Sequence, residues 1–270
     1  MKLTFFPSLF LLMGWQLAFI AVVQAQSFET LCKQCEVDGT IVLYDFKGDK
    51  WFISDSAKAM QSTLPASTFK IINSLIALET GVIKDENEVV RWPGKTDTIL
   101  YGYRPEIYHD MTVREAFEVS AGWVYIELAK RIGKERYRSY LQKAGYGNGN
   151  LSHPDDDFWN YGVFGISPKN QVEFLIRLYK NELPFSKRSM DLVKKIMISE
   201  KTTKYLIHAK TGWTRQAGIN TGWWVGWMET KKGIYFFATR LLQPRTNNRA
   251  DFGSCRKTIT MAMLKQFSAL

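Results

Sequence analysis

Apolar positions along the chain change their period several times, and each change predicts an element. Thr40 to Tyr44 and Lys50 to Ser54 read as two strands joined by Asp45 to Gly48, a stretch with hairpin turn chemistry. Thr68 to Thr80 predicts a helix: Phe69, Ile72 and Ile76 recur at helical spacing, Ile71, Leu75 and Leu78 widen the same face, and Gly81 stops it. Further helices are predicted at Thr112 to Phe117, Val124 to Ile132, Glu135 to Ala144, Ser167 to Lys180 and Lys187 to Met197. The pattern then turns β-rich at Ile207 to Lys210, Thr221 to Met228 and Gly233 to Thr239, and a last helix at Arg256 to Phe267 closes the chain. Strands at both ends of a helical middle predict an α+β domain whose terminal strands join one antiparallel sheet. There is no internal repeat, low-complexity tract or linker.

Residues 1 to 25 stand outside this pattern. Met1-Lys2 gives a positive start, Leu3 to Val23 is almost uninterrupted apolar sequence, and Ala25 supplies the small residue of a cleavage site. This predicts a signal peptide cleaved after Ala25 and a periplasmic or secreted product, residues 26–270, forming one domain. An uncleaved anchor is the alternative, weakened by Gly14 and Gln16 within the apolar run.

The 270 residues are 46% hydrophobic and 23% charged, which excludes a disordered or collagen-like chain. The net charge is +10, and cleavage would remove only Lys2 from it. Lys and Arg occur in pairs such as Lys187-Arg188 and Lys231-Lys232, never in a long block, so the charge points to small carboxylate ligands and no nucleic acid. Cys32 and Cys35 form a C-x-x-C that precedes a strand and does not open a helix, which disfavours a redox role. Two cysteines without a second pair make a poor zinc site, so a local disulfide or two buried thiols are expected, with Cys255 alone.

Three short motifs carry chemistry. Pro65-Ala66-Ser67-Thr68-Phe69-Lys70 places an S-x-x-K at a predicted helix start, where three residues bring hydroxyl and amine to one face and backbone N–H groups favour developing negative charge. A serine there can be activated without histidine if Lys70 acts as a base or carries one. Alone the motif is weak, since Ser254-Cys255-Arg256-Lys257 matches it without comparable context. Lys210-Thr211-Gly212, on a strand running into Trp213, offers a cation, a hydroxyl and an unobstructed backbone edge to a substrate carboxylate and amide; the plain alternative is a surface strand end. Ser120, just before a predicted helix, reads by itself as a cap. Histidines occur only at His109, His153 and His208, and neither G-x-S-x-G nor H-E-x-x-H is present. His153 with Asp155-Asp156-Asp157 reads as an exposed acidic loop before a metal site, so no metal is expected. Trp213 is expected at the cleft, and most of Trp223, Trp224 and Trp227 in the sheet core.

In order and spacing these motifs, with Tyr146-Gly147-Asn148, Phe158-Trp159, Asn170 to Leu175 and Gly222 to Trp227, resemble the class D, or oxacillinase-type, serine β-lactamases from about Ile41 to Ile259. The resemblance implies a penicillin-binding transpeptidase-like α+β fold, a small-molecule β-lactam substrate and antibiotic resistance. It implies that Ser67 is the acylated nucleophile and that Lys70 carries a carbamate formed with carbon dioxide or bicarbonate, the only cofactor expected, hydrogen-bonded by the Trp159 indole. It further implies that Ser120 relays a proton to the β-lactam nitrogen with help from Lys210, that the Ser67 and Trp213 backbone N–H groups form an oxyanion hole, and that Thr211, Gly212, Trp213 and Arg256 bind substrate. Only a neutral amine reacts with carbon dioxide, so Lys70 needs a depressed pKa in an apolar pocket. One departure stands out: Ser120-Ala121-Gly122 has glycine where the family has valine, opening space and admitting water beside the carbamate. A penicillin-binding sensor and a D,D-peptidase, both holding a long-lived acyl group, are the alternatives. No membrane partner is expected after cleavage, and monomer and homodimer remain open.

Overall fold

The structure, a computed structural model, describes residues 26–247 and 249–268, so the signal-peptide expectation for residues 1 to 25 lies outside the described residues. Among them no helix is long and apolar enough to cross a membrane. Helix α1 (Phe28–Gln34) leads into strands β1 (Asp38–Asp45) and β2 (Lys50–Ile53), and α2 (Ser56–Met60) precedes a 3-10 turn at Ala66–Phe69 and helix α3 (Lys70–Glu79). The middle holds β3 (Val89–Val90), α4 (Thr98–Tyr101), β4 (Met111–Thr112), α5 (Val113–Glu118), α6 (Gly122–Ile132), α7 (Lys134–Ala144), α8 (Pro168–Tyr179) and α9 (Lys187–Ile196). Strands β5 (Ile198–Lys201), β6 (Tyr205–Gln216), β7 (Ile219–Thr230) and β8 (Ile234–Pro244) follow, and α10 (Phe252–Ser268) ends the described chain.

Six strands form one antiparallel sheet in the order β2-β1-β8-β7-β6-β5, so the first strands pair with the last as the sequence predicts. Strand alternation assigns each face its layer. Val42, Trp223, Val225 and Trp227 point to the helical layer around α3, α6, α8 and α9. Ile41, Leu43, Trp224 and Phe237 point the other way, into a second cluster under α1 and α10. The tryptophans of β7 are therefore core residues, as expected.

Two readings are corrected here. Cys35 does not pair locally; it bonds Cys255 across 220 residues, with Cα atoms 6.2 Å apart, and ties α1 to α10. Cys32 sits one helical turn earlier and faces the second core cluster, which leaves it a buried free thiol whose pKa is pushed up to about 12 by burial. The Lys-Thr-Gly strand also extends well beyond the predicted Ile207 to Lys210. It runs to Gln216 and turns through Ala217-Gly218, both at positive φ (49° and 76°), a two-residue hairpin whose twist suits the flanking strands.

Candidate active site

The Ser67 turn is 3-10, one turn ahead of the α-helix that the periodicity predicts. Three residues per turn bring positions 67 and 70 nearly into line, and Lys70 Nζ donates to Ser67 Oγ at 3.0 Å. Ala66, immediately before, holds φ +51°, and its N–H donates to Trp159 O at 3.0 Å. A non-glycine residue in that region stores strain, a recurrent property of reacting positions. Lys70 is 1% exposed, lies 4.9 Å from the Tyr125 ring centroid and has no carboxylate partner among the described residues. Burial, followed by the charge of Arg104, lowers its pKa to about 7.

Lys210 approaches from β6. It is buried, donates to Ser120 Oγ at 3.1 Å and to Thr211 O at 3.2 Å, and burial, then the charges of Lys70 and Arg256, push its pKa well below the ordinary lysine value. Ser120 is not a cap: Ala121 holds the N-cap position of α6 without a side-chain bond, and Ser120 itself sits at φ +60° with its hydroxyl turned to Lys210.

The edge that these groups face follows from strand lengths. β5 pairs with β6 only at Leu206, Ile207 and His208, so among the described residues the main chain of Lys210 to Gln216 has no strand on its outer side. Gly212 is required there, because a Cβ would stand 2.8 Å from Pro65 O and 3.2 Å from Thr68 N of the Ser67 turn. Trp213 is 39% exposed, donates from Nε1 to Asn220 Oδ1 at 3.2 Å and packs edge-on against Phe252. Arg256, from α10, donates Nη1 to Gly212 O; burial lowers its pKa to about 10, and its Nε is buried without a partner among the described residues.

Trp159 packs behind the Ser67 turn and is not among the residues that line the cavity. Its ring stacks on Phe69 at 4.9 Å, it is 1% exposed, and its Nε1 is a buried donor with no partner among the described residues. Tyr146-Gly147-Asn148 serves this segment from a distance: Asn148 donates to Val163 O and accepts from Gly165 N, and Gly147 N donates to Asn170 Oδ1. Gly122 does line the cavity, and a Cβ built on it meets nothing within 4 Å.

Together Ser67, Lys70, Ser120, Thr211, Gly212, Trp213 and Arg256 line one cavity of about 380 Å³. Sequence reasoning did not name Tyr101, Arg104, Tyr108, Asn160 and Tyr161, which also line it. Tyr101 donates to Asp157 and Tyr161 donates to Leu100 O at 3.2 Å, clamping α4 over the mouth, while Thr214 Oγ1 donates to Asn160 O at 2.7 Å. No local pattern announces these residues; long-range bonds place them. His153, Asp155 and Asp157 do converge within 4.8 Å, but Asp157 is already engaged by Tyr101.

Residues 23–265 match the penicillin-binding protein transpeptidase domain family. The chain is 42% identical over 205 residues to β-lactamase OXA-10 of Pseudomonas aeruginosa, covering 75% of each chain. It is 40% identical over 228 residues to β-lactamase OXA-48 of Klebsiella pneumoniae, covering 84% of this chain and 83% of that one. Among solved structures, the class D β-lactamase YbXI from Nostoc superposes with TM-score 0.83 at 40% identity, covering 90% of this chain and 99% of that one.

Proposed function

Since the chain belongs to the class D serine β-lactamases of the penicillin-binding transpeptidase family, we propose how its own residues divide the work of opening a β-lactam ring. The chain is a serine β-lactamase, a hydrolase whose action on β-lactam antibiotics gives resistance. The observation that carries the division of labour is the pair of buried amines with depressed proton affinity, each bonded to one serine: Lys70 to Ser67 and Lys210 to Ser120.

Ser67 attacks the lactam carbonyl and becomes acylated. Its proton leaves toward Lys70, which is half neutral near pH 7 and therefore competent as a base. The backbone N–H groups of Ser67 and Trp213 receive the developing oxyanion. Ser120, with Lys210 behind it, hands a proton to the departing lactam nitrogen. The free edge at Thr211 and Gly212 aligns the substrate, and Arg256 meets its ring carboxylate by a charge-assisted bond.

Lys70 also fits uptake of carbon dioxide as a carbamate. Burial supplies the neutral amine that carbon dioxide requires, and the buried Trp159 Nε1, without a partner among the described residues, supplies a donor for the resulting anion. The carbamate would supply a general base for both acylation and the hydrolytic water. Lys70 and Trp159 would hold it. Export to the periplasm or beyond the cell is proposed on the apolar start of the chain.

The test uses purified residues 26–270 with a chromogenic cephalosporin, following turnover and the mass of the protein, beside a D-Ala-D-Ala peptide. Steady turnover with a transient adduct on Ser67 is expected. A persistent stoichiometric adduct, or cleavage of the peptide alone, would refute the hydrolytic assignment.

A further inference from the structure

The cavity carries more positive charge than the single ring carboxylate of a β-lactam requires. Arg104, Arg215 and Arg256 line it beside Lys70, whose amine is half neutral near pH 7, and among the described residues no aspartate or glutamate lines it. Lys70 faces Ser67 and Arg256 is engaged with Gly212. Arg215 is exposed at the rim. Arg104 differs from all three because it is held in place on several sides.

Its backbone N–H donates to the Tyr108 hydroxyl at 2.9 Å, which itself donates to Gly102 O at 3.1 Å, and the Tyr108 ring stacks on Trp92 at 5.0 Å. The guanidinium Nε pairs with Glu106 Oε1 at 2.9 Å, and Nη2 donates to Val119 O at 3.2 Å, one residue before Ser120. Glu106 is exposed and does not line the cavity, so it orients the group from outside. Nη1 has no partner among the described residues. A planar cation fixed in this way, with donors left over, is suited to a carboxylate and has its ordering cost already met. Its charge also reaches the reacting amines, since it contributes to the lowered proton affinity of both Lys70 and Lys210. It stands on the loop wall of the cavity, whereas Arg256 stands on the α10 wall.

We propose that Arg104 binds a second carboxylate, carried on the acyl side chain of the substrate, so that the enzyme favours dianionic β-lactams over their monoanionic counterparts. The proposal rests on β-lactam hydrolysis in this same cavity. It gives the chain's basic excess a specific place of action.

Benzylpenicillin and its α-carboxy derivative, carbenicillin, differ only by the second carboxylate, and the ratio of their kcat/KM values is the readout. Arg104→Gln is expected to lower the carbenicillin-to-benzylpenicillin ratio about tenfold, the equivalent of about 1.4 kcal/mol and typical of one charge-assisted bond, mainly through KM. Arg104→Lys keeps the charge but not the anchored planar fork, so it should give a ratio between those of the wild type and Arg104→Gln. Raising salt should lower the wild-type ratio, because the pair is partly exposed. An unchanged ratio in Arg104→Gln, or a fall on Arg215→Gln in its place, overturns the assignment. Benzylpenicillin turnover reports the underlying activity separately. Were the wild type to acylate without turnover, the hydrolase reading would fail, and the same ratio taken from acylation rates would still decide the role of Arg104.

Discussion

Lys70 allows a quantitative prediction. Its amine is moved from the ordinary 10.5 to about 7, which corresponds to about 5 kcal/mol of disfavoured charge. An ordinary lysine at pH 7 is neutral in roughly 0.03% of molecules; at a pKa of about 7 the neutral fraction is roughly 9% at pH 6, 50% at pH 7 and 91% at pH 8. The pKa is depressed, so the reactive form accumulates as pH rises through 7 and is lost below it. If carbon dioxide adds to the neutral amine, recovery of activity after acid treatment should rise about tenfold per pH unit below 6, about fivefold from pH 6 to 7, and level off above about 8. Dissolved carbon dioxide must be held constant, since bicarbonate equilibria shift over the same range. The assay is the initial rate of return of cephalosporin turnover, with the mass of the modified protein as a second readout. A recovery rate independent of pH between 5.5 and 7, or still climbing tenfold per unit at pH 9, would contradict the burial argument.

Gly122→Val fills space that no atom occupies within 4 Å of the new Cβ, so it should reduce the added bicarbonate needed for full activity; equal bicarbonate dependence in the two proteins would sink the idea. Replacing Cys35 and Cys255 by alanine should cost about 3–5 kcal/mol, because the bond closes a loop of 220 residues; a denaturation midpoint unmoved in the double variant contradicts this. Lys70 and Lys210 both have folded pKa values below their unfolded ones, so the unfolded chain binds more protons above pH 7 and stability should rise from pH 7 to about 9. Lys70→Met should flatten that slope, measured by denaturant titration across the range.

The parts of the fold and site that short sequence spacings determine were legible, and those set by tertiary contact were not. Ser67 and Lys70 lie three residues apart, so one turn joins them whether it is 3-10 or α. The apolar alternation of β1, β7 and β8 was enough to predict one sheet from both chain ends. Beyond Lys210, however, β6 alternates exposed and buried residues with few apolar ones, and its last turn residues were hidden by that polarity. β5 is exposed throughout and, with Ile198 its single apolar residue, gives no apolar alternation. Ser120 has the local context of a cap, and only its positive φ and the reach of Lys210 across 90 residues reveal otherwise. Arg104 and Tyr101 enter the site through a loop whose path depends on Tyr108 and Asp157, partners that no spacing rule connects. Cys35 and Cys255 meet because α1 and α10 share one sheet face, a fact available only once the sheet is built.

The shortness of β5 has an evolutionary consequence. Because it stops opposite His208, the strip of β6 from Lys210 onward is presented to ligands as main chain. Donors and acceptors of the main chain are common to every residue except proline, so side-chain mutation hardly touches them. Whatever part of a ligand is read by that strip is insulated from genetic drift, while Arg104, Tyr101 and Trp213 around it can be exchanged one at a time. A site built this way can widen or narrow its range of substrates under selection without first losing its hold on the part that all of them share.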